Sequence, residues 1–281
     1  MSTIAVVTDS AACLPPELVQ QYDIHVVPFE LIWDERVYRD GVDLTSEEFY
    51  QRFRQVRSRP TTSQPSLADF VRLYARLSQE VEGIVSIHIP EELSGTLAAA
   101  RLAAKQAATV PIQVMDARTA TIAEGFIVLA AARAAKAGGN LEKVVAAAEA
   151  MIPRVDFFAT LATLEHLHRG GRIGEAVALV GSRLRINPIL NLKDARVKVV
   201  SVVRSRRRAI ERILELVEAQ VGKRPIHASV FHADALDEAK RMSEEVFSRF
   251  NCVEFYITEF TPVMGAHTGP GVVGLAFYTG E

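Results

Sequence analysis

Several common protein classes are excluded by what this 281-residue chain has little of. It holds two cysteines, Cys13 and Cys252, far apart in the sequence. They form neither a CxxC pair nor a disulfide framework. Charge of one sign is not in excess: 32 Lys and Arg face 34 Asp and Glu, for a formal net charge of -2. Such a balance projects no long-range field toward nucleic acid or an anionic membrane. The densest basic patch, Arg204 to Arg208, leads into a helix pattern and reads as a solvated helix start ahead of a polyanion site. The most apolar long stretch, IAEGFIVLAAARAA, carries Glu124 and Arg133 too close together for a lipid-spanning segment. MSTIAVVTDS lacks the basic flank and apolar length of a secretion signal, so a reducing cytoplasm is the expected compartment. No glycine-rich loop ending in Gly-Lys-Ser/Thr occurs, and with it goes the common ATP site of that type.

What remains is an ordinary globular composition, 49% hydrophobic and 23% charged. IAVVT reads as a buried strand, and LPPELVQQY as a helix with Pro15 and Pro16 near its start. IHVVPFELIW and ERVYRDG look extended, broken at Pro28. Phe49, Phe53 and Val56 form one apolar stripe, and Phe70, Leu73, Tyr74 and Leu77 another, at helical spacing. GIVSIHI, GTLAAARLAAKQAA, PIQVMD and ATIAEGFIVLAAARAAKAGG then alternate strand and helix, which predicts right-handed crossovers and a mostly parallel sheet. After LEKVVAAAEAMIP the extended segments come without a full helix between every two. The predicted fold class is therefore α/β in two domains: residues 1–153, Rossmann-like with a mostly parallel sheet, and residues 154–281, a mixed-sheet α+β domain. EAVALVGSRL is expected to be helical. A cleft between the two halves is the first place to seek a ligand.

Motifs that name a chemistry are weak. Gly269, Gly271 and Gly274 satisfy GxGxxG, but the segment after them, VVGLAFY, reads as a strand where a dinucleotide fingerprint opens a helix. A tight loop bringing backbone close to a ligand accounts better for these glycines. Ser94 in ELSGT follows a strand and precedes a helix, without the glycine that a nucleophile elbow requires. As a nucleophile it needs a base, for which His88 and His267 are candidates; as a structural residue it caps the helix. Metal ligation is weakly supported. His166 and His168 in EHLH diverge by about 200° on a helix, and Asp234 in FHADALDE reads as a helix cap.

Three polar clusters stand out: Thr61-Thr62-Ser63, Ser94-Gly95-Thr96 and His267-Thr268-Gly269. Each falls at a strand end, a loop or a helix start, where α/β proteins hold ligands. Hydroxyls, an imidazole and exposed amides suit a small anionic head group such as a carboxylate. The second half has ample Phe, Leu, Ile and Val for an apolar tunnel, though composition does not separate a tunnel from a core. The residues alone lead to a polar or carboxylate head group between domains.

Taken in order, VVTDSAACLP, TTSQPS, IPEELSGTLAAA, DARTATIAEG, ATLEHLHRGGRIG, INPIL, VFHADALDEA and HTGPGVVG resemble the successive signatures of the DegV family of bacterial fatty-acid-binding proteins. The resemblance runs over nearly the whole chain and implies one long-chain fatty acid held with its carboxylate near the interdomain cleft. It implies Thr62, Ser94 and His267 as carboxylate ligands, with Arg172 tied to the head-group end or to partner docking. Thr61, Gly95, Thr96 and Gly269 are expected around them. Ala117 stands where the family pattern often has serine, and Leu97 where many relatives have tyrosine. The resemblance further implies a separate fatty acid kinase as partner, no cofactor and no metal, no nucleic acid and at most transient membrane contact. On this reading the chain is a carrier and not an enzyme. The competing reading is a serine-dependent acyl-ester hydrolase or acyltransferase using Ser94 and His267.

Overall fold

A computed structural model of the chain describes residues 3–56, 58–107, 109–180 and 186–280. The first half contains strands β1 (Ile4–Asp9), β2 (Ile24–Val27), β3 (Glu30–Trp33), β4 (Arg36–Arg39), β5 (Thr61–Ser63), β6 (Gly83–His88) and β7 (Ile112–Asp116). Its helices are α1 (Pro16–Gln21), α2 (Ser46–Gln55), α3 (Leu67–Leu77), α4 (Thr96–Ala107), α5 (Thr121–Lys136) and α6 (Leu141–Met151). The second half holds β8 (Asp156–Thr160), α7 (Glu165–Arg169), β9 (Asn187–Lys193), β10 (Arg196–Val203) and α8 (Arg206–Val221). It continues with β11 (Ile226–Ala233), α9 (Leu236–Arg249), β12 (Cys252–Glu259), α10 (Pro262–Thr268) and β13 (Val272–Thr279).

Strands β2-β1-β6-β7 form a parallel sheet in that order. Every residue of β1 and β6 is buried, because helices cover both faces. Ile4 and Val6 face one way, into the core shared with Phe126 and Ile127 of α5. Ala5 and Val7 face the other way, onto Phe70 and Tyr74 of α3 and Ala100 of α4. The stripes expected at Phe49/Phe53 and Phe70/Tyr74/Leu77 are the buried faces of α2 and α3. The second sheet is mixed, in the order β10-β9-β8-β13-β11-β12. Its period-2 alternation divides its work. Phe158, Ile189 and Leu275 pack under α8 and α9, while Phe157, Ala159, Leu190 and Phe231 turn toward the first half.

Some local expectations change. Thr61–Ser63 is not a loop but the edge strand β5 of a small antiparallel sheet, β4-β3-β5, with Thr62 opposite Leu31. Ser66, the last residue of TTSQPS, does cap a helix: its Oγ accepts from the Asp69 amide at 3.1 Å. In EAVALVGSRL only a 3-10 segment, Gly174–Leu179, forms among the described residues, and the rest of that expected helix lies largely outside them. Asp234 caps nothing; it pairs with Arg54 of α2 and so links the halves. The basic run at Arg204 to Arg208 is a helix start, as read, with Ser205 capping α8 and Arg206 and Arg208 paired to Glu238 and Glu215.

The halves are further joined at α10. The Asp40 carboxylate, buried beyond β4, accepts from the Val263 amide at 2.9 Å and from the Ser10 hydroxyl at 2.6 Å. Burial pushes Asp40 up to about 6, against the hydrogen bonds that lower it. This contact fixes α10, and with it His267, against the first sheet.

Candidate functional site

Three of the expected polar residues converge on one cavity between the sheets. It encloses about 520 Å³ and is lined by Thr62, Ser94 and His267 together with Gly95 and Arg172. Thr62 comes from the middle of β5 and His267 from the last turn of α10, 205 positions apart in sequence. Their side chains meet at 2.7 Å, Thr62 Oγ1 to His267 Nε2. Burial, reinforced by the Arg172 guanidinium, pushes the imidazole down to about 4. His267 is therefore neutral near pH 7, with a single N–H, and the tautomer sets which partner donates in its contact with Thr62.

Ser94 lies just ahead of α4. Its Oγ is 2.8 Å from Thr96 Oγ1 and accepts from the Thr96 amide at 3.3 Å, so it also acts as a cap. Gly95 permits a close approach: a Cβ there would sit 2.0 Å from Gln64 Oε1. Gly269 ends α10 with φ +71°, and a Cβ would fall 2.2 Å from the His166 ring. Its role is to seat His166 against the loop behind His267. Gly269 and Thr96 are thus second to the cavity wall, and neither lines it. Thr61 is exposed and faces the outer side. Arg172 donates to the Leu93 carbonyl at 3.0 Å and the Gly170 carbonyl at 2.6 Å, which ties the GGRIG turn to the loop before Ser94.

Most of the remaining wall is apolar and comes from both halves. Phe29, Ile89 and Leu93 contribute from the first, Phe157, Ala159, Leu190 and Phe231 from the second. Four polar lining residues, Glu30, Gln64, Thr121 and Asn191, escaped the reading of the sequence. Gln64 lay within TTSQPS but was passed over for its hydroxyl neighbours. Thr121 enters α5 at φ +65°, an unusual backbone for a β-branched residue, and nothing in the sequence marks that strain.

The geometry also bears on the nucleophile reading. Among the described residues no hydrogen bond joins Ser94 to His267: the first pairs with Thr96, the second with Thr62. The other candidate base, His88, is fully buried and committed elsewhere. Its Nε2 is 2.7 Å from Ser86 Oγ and its Nδ1 3.0 Å from Asp9 Oδ2, with Tyr74 Oη 2.7 Å from the same serine. This Ser-His-Asp chain ties β1, β6 and α3 together, and none of its members lines the cavity. EHLH falls on α7, where the histidines diverge as expected for a helix. Among the described residues no group of three or more His, Cys, Asp or Glu could hold a metal ion, and no helix is long and apolar enough to cross a membrane.

The depressed His267 fixes the sign of one pH effect. As pH falls from about 6.5 toward 4, the unfolded chain takes up a proton that folded His267 refuses. Stability contributed by the neutral ring is complete above 6.5 and is lost through that window. Urea unfolding midpoints of the wild type should fall across it more steeply than those of His267→Asn. Parallel profiles would contradict the buried neutral imidazole.

Comparison with known proteins places this architecture. A sequence model described as "Uncharacterised protein, DegV family" matches residues 3–280. Protein DegV of Bacillus subtilis is 34% identical over 276 residues, covering 98% of each chain. A solved structure of a DegV family protein from Thermus thermophilus, described for its fatty acid binding, superposes with a TM-score of 0.92 at 35% identity, over 99% of each chain. The crystal structure of Bacillus subtilis DegV, described as a fatty acid binding protein, gives a TM-score of 0.92 at 33% identity over 100% of each chain. The chain belongs to the DegV family.

Proposed function

We propose that this chain binds one long-chain fatty acid and presents its carboxylate to a separate fatty acid kinase. The observation that carries the reading is the cavity itself: hydroxyls and an imidazole gather at Thr62, Ser94 and His267, while most of the remaining wall is apolar. Its volume of about 520 Å³ lies within the range of roughly 300–1,000 Å³ usual for small-molecule sites. A buried carboxylate must be hydrogen-bonded, and two hydroxyls with a neutral imidazole supply donors without locking the oxygens in an arginine clamp. The tail gives affinity and the head group fixes orientation.

The kinase partner is what the family resemblance implies, and the residues agree with it. An acid held by neutral donors keeps a nucleophilic oxygen, and the sequence carries no P-loop to supply ATP. In the proposed exchange a carboxylate oxygen bonds to the γ-phosphorus of ATP on the kinase as the bond to ADP breaks, leaving acyl phosphate. We place the domain division near Pro153, between α6 and β8, and the protein in the cytoplasm, where two free cysteines are at home. The esterase reading is disfavoured, because Ser94 has no base beside it among the described residues: His267 pairs with Thr62, and His88 with Ser86 and Asp9.

Native mass spectrometry of freshly purified protein, followed by lipid extraction, tests the ligand class. One acyl chain per protein is expected, with no turnover of acyl esters for Ser94→Ala to abolish. Absence of acyl lipid in both purified and fatty-acid-loaded samples would refute the reading.

A further inference from the structure

One wall of the cavity comes from a short segment of the second half, α10 and the turn before it: Phe260, Val263, Met264, His267 and Thr268. The segment rests on the first half. The Ser46 and Tyr50 hydroxyls donate to the Phe260 carbonyl at 3.1 and 3.4 Å, and the Val263 amide donates to Asp40. Beyond the last turn, Gly269 and Gly271 both hold positive φ, and element ends of this kind absorb hinge motion. One contact in this seam is costly. Asp40 is 3% exposed, and among the described residues no ion pair joins it to a cation. Two other carboxylates that bridge the halves, Asp234 and Glu254, are paired with Arg54 and Arg133. The titratable groups facing Asp40 are Asp9 at the end of β1, Cys13 beyond it and Tyr50 on α2. Glu124 on α5 stands behind Asp9 and Cys13, with Glu259 and Asp234 behind Tyr50. α10 itself carries one titratable side chain, His267, in its last turn. Burial keeps the Cys13 thiol and the Tyr50 phenol neutral, so the charge around Asp40 is all of its own sign.

We propose that α10 is the movable wall of the cavity and that the charge on Asp40 governs how readily it opens. Asp40 meets two donors, Ser10 Oγ and Val263 N, which suits a carboxylate, yet the seam supplies no countercharge. When α10 swings out, water reaches the carboxylate and the cost of burying it is relieved. Closed, Asp40 holds its proton up to about 6, above the 3.8 of a solvated aspartate, because burial outweighs its hydrogen bonds. The closed form therefore binds the proton more tightly than the open one. Falling pH through 6 shuts the wall, and rising pH eases it open. From pH 5 to 7.5 the opening constant should rise about tenfold. Ligand then exchanges at neutral pH and is trapped in acid. Only the identity of that ligand rests on the fatty-acid reading above.

Hydrogen exchange of the α10 amides in the full, ligand-free protein reads the opening directly. Rates are corrected for the intrinsic pH dependence of exchange and referenced to the amides of β1, which separates opening from global unfolding. Wild-type protection should fall about tenfold from pH 5 to 7.5 and level off above about 6. Asp40→Asn keeps the shape without the charge and should stay protected at every pH, as the wild type is in acid. Ser10→Ala removes a donor to the carboxylate, so its profile should level off at a higher pH, a displacement that a merely structural role would not produce. A flat wild-type profile, an Asn variant that follows the wild type, or an unmoved Ser10→Ala profile each overturns the proposal. If Asp40→Asn does not fold, the wild type and Ser10→Ala still decide. Release of bound palmitate to excess albumin should follow the same pH profile. Release that ignores pH while α10 opening depends on it would put the exit elsewhere and overturn α10 as the movable wall. Failure to bind palmitate removes the carrier reading, and the exchange profiles alone then decide the opening.

Discussion

Ala159→Phe should abolish long-chain fatty acid binding and leave the fold intact. Ala159 lies on β8, is 5% exposed and turns its methyl group into the cavity beside Phe157 and Leu190. A phenyl ring there occupies space that the acyl tail needs. Excluding about four methylenes costs about 3 kcal/mol at roughly 0.8 kcal/mol each. That is more than a hundredfold in affinity. The ligand-free protein should lose little, because the ring enters a void and not a packed core; filling cavities commonly stabilises a fold. Calorimetric titration with palmitate, paired with a thermal melt of the ligand-free variant, separates the two effects. Wild-type affinity in a folded variant would place the tail elsewhere.

Thr62→Val removes one hydroxyl and keeps the shape of the side chain. It deletes a donor to the carboxylate and leaves His267 Nε2 without its 2.7 Å partner. A hydrogen bond to a charged group contributes about 1.5–3 kcal/mol, which predicts a loss of about ten- to a hundredfold for the fatty acid. The corresponding fatty alcohol carries no charge and should lose far less. This difference between acid and alcohol is the readout, since a general distortion of the cavity would weaken both alike. Equal losses would remove Thr62 from the head-group site.

These residues show unevenly in the sequence. The parallel sheet was legible because a strand covered on both faces is apolar throughout, as IAVVT is, and its helices have clear stripes. The mixed second sheet was legible in class from extended segments without intervening helices, but its strand order was not. Antiparallel register between β8 and β13 joins positions more than a hundred residues apart. Thr61–Ser63 carries no alternation, since all three side chains are polar, and its strand character comes from pairing with β3. Ser94 was readable both as a cap and as a ligand, and its position at the start of α4 on the cavity wall allows both roles. The residues grouped the Thr62 and His267 clusters as a head-group site and the family resemblance named the two as ligands, but their direct contact was not read, because no local pattern links β5 to α10. Thr121 was missed for a different reason: backbone strain is a property of the fold around it. The role of Asp40 in holding α10 was hidden for the same reason.

The central claim, an acyl tail in the cavity behind a polar head-group cluster, is tested most directly by affinity as a function of chain length. Saturated fatty acids shortened stepwise from palmitate, titrated at one pH and ionic strength, should bind progressively more weakly. Each buried methylene lost should cost about 0.8 kcal/mol, or about fourfold in Kd. A flat dependence on chain length would contradict the account, because the apolar wall would then not be where the tail lies.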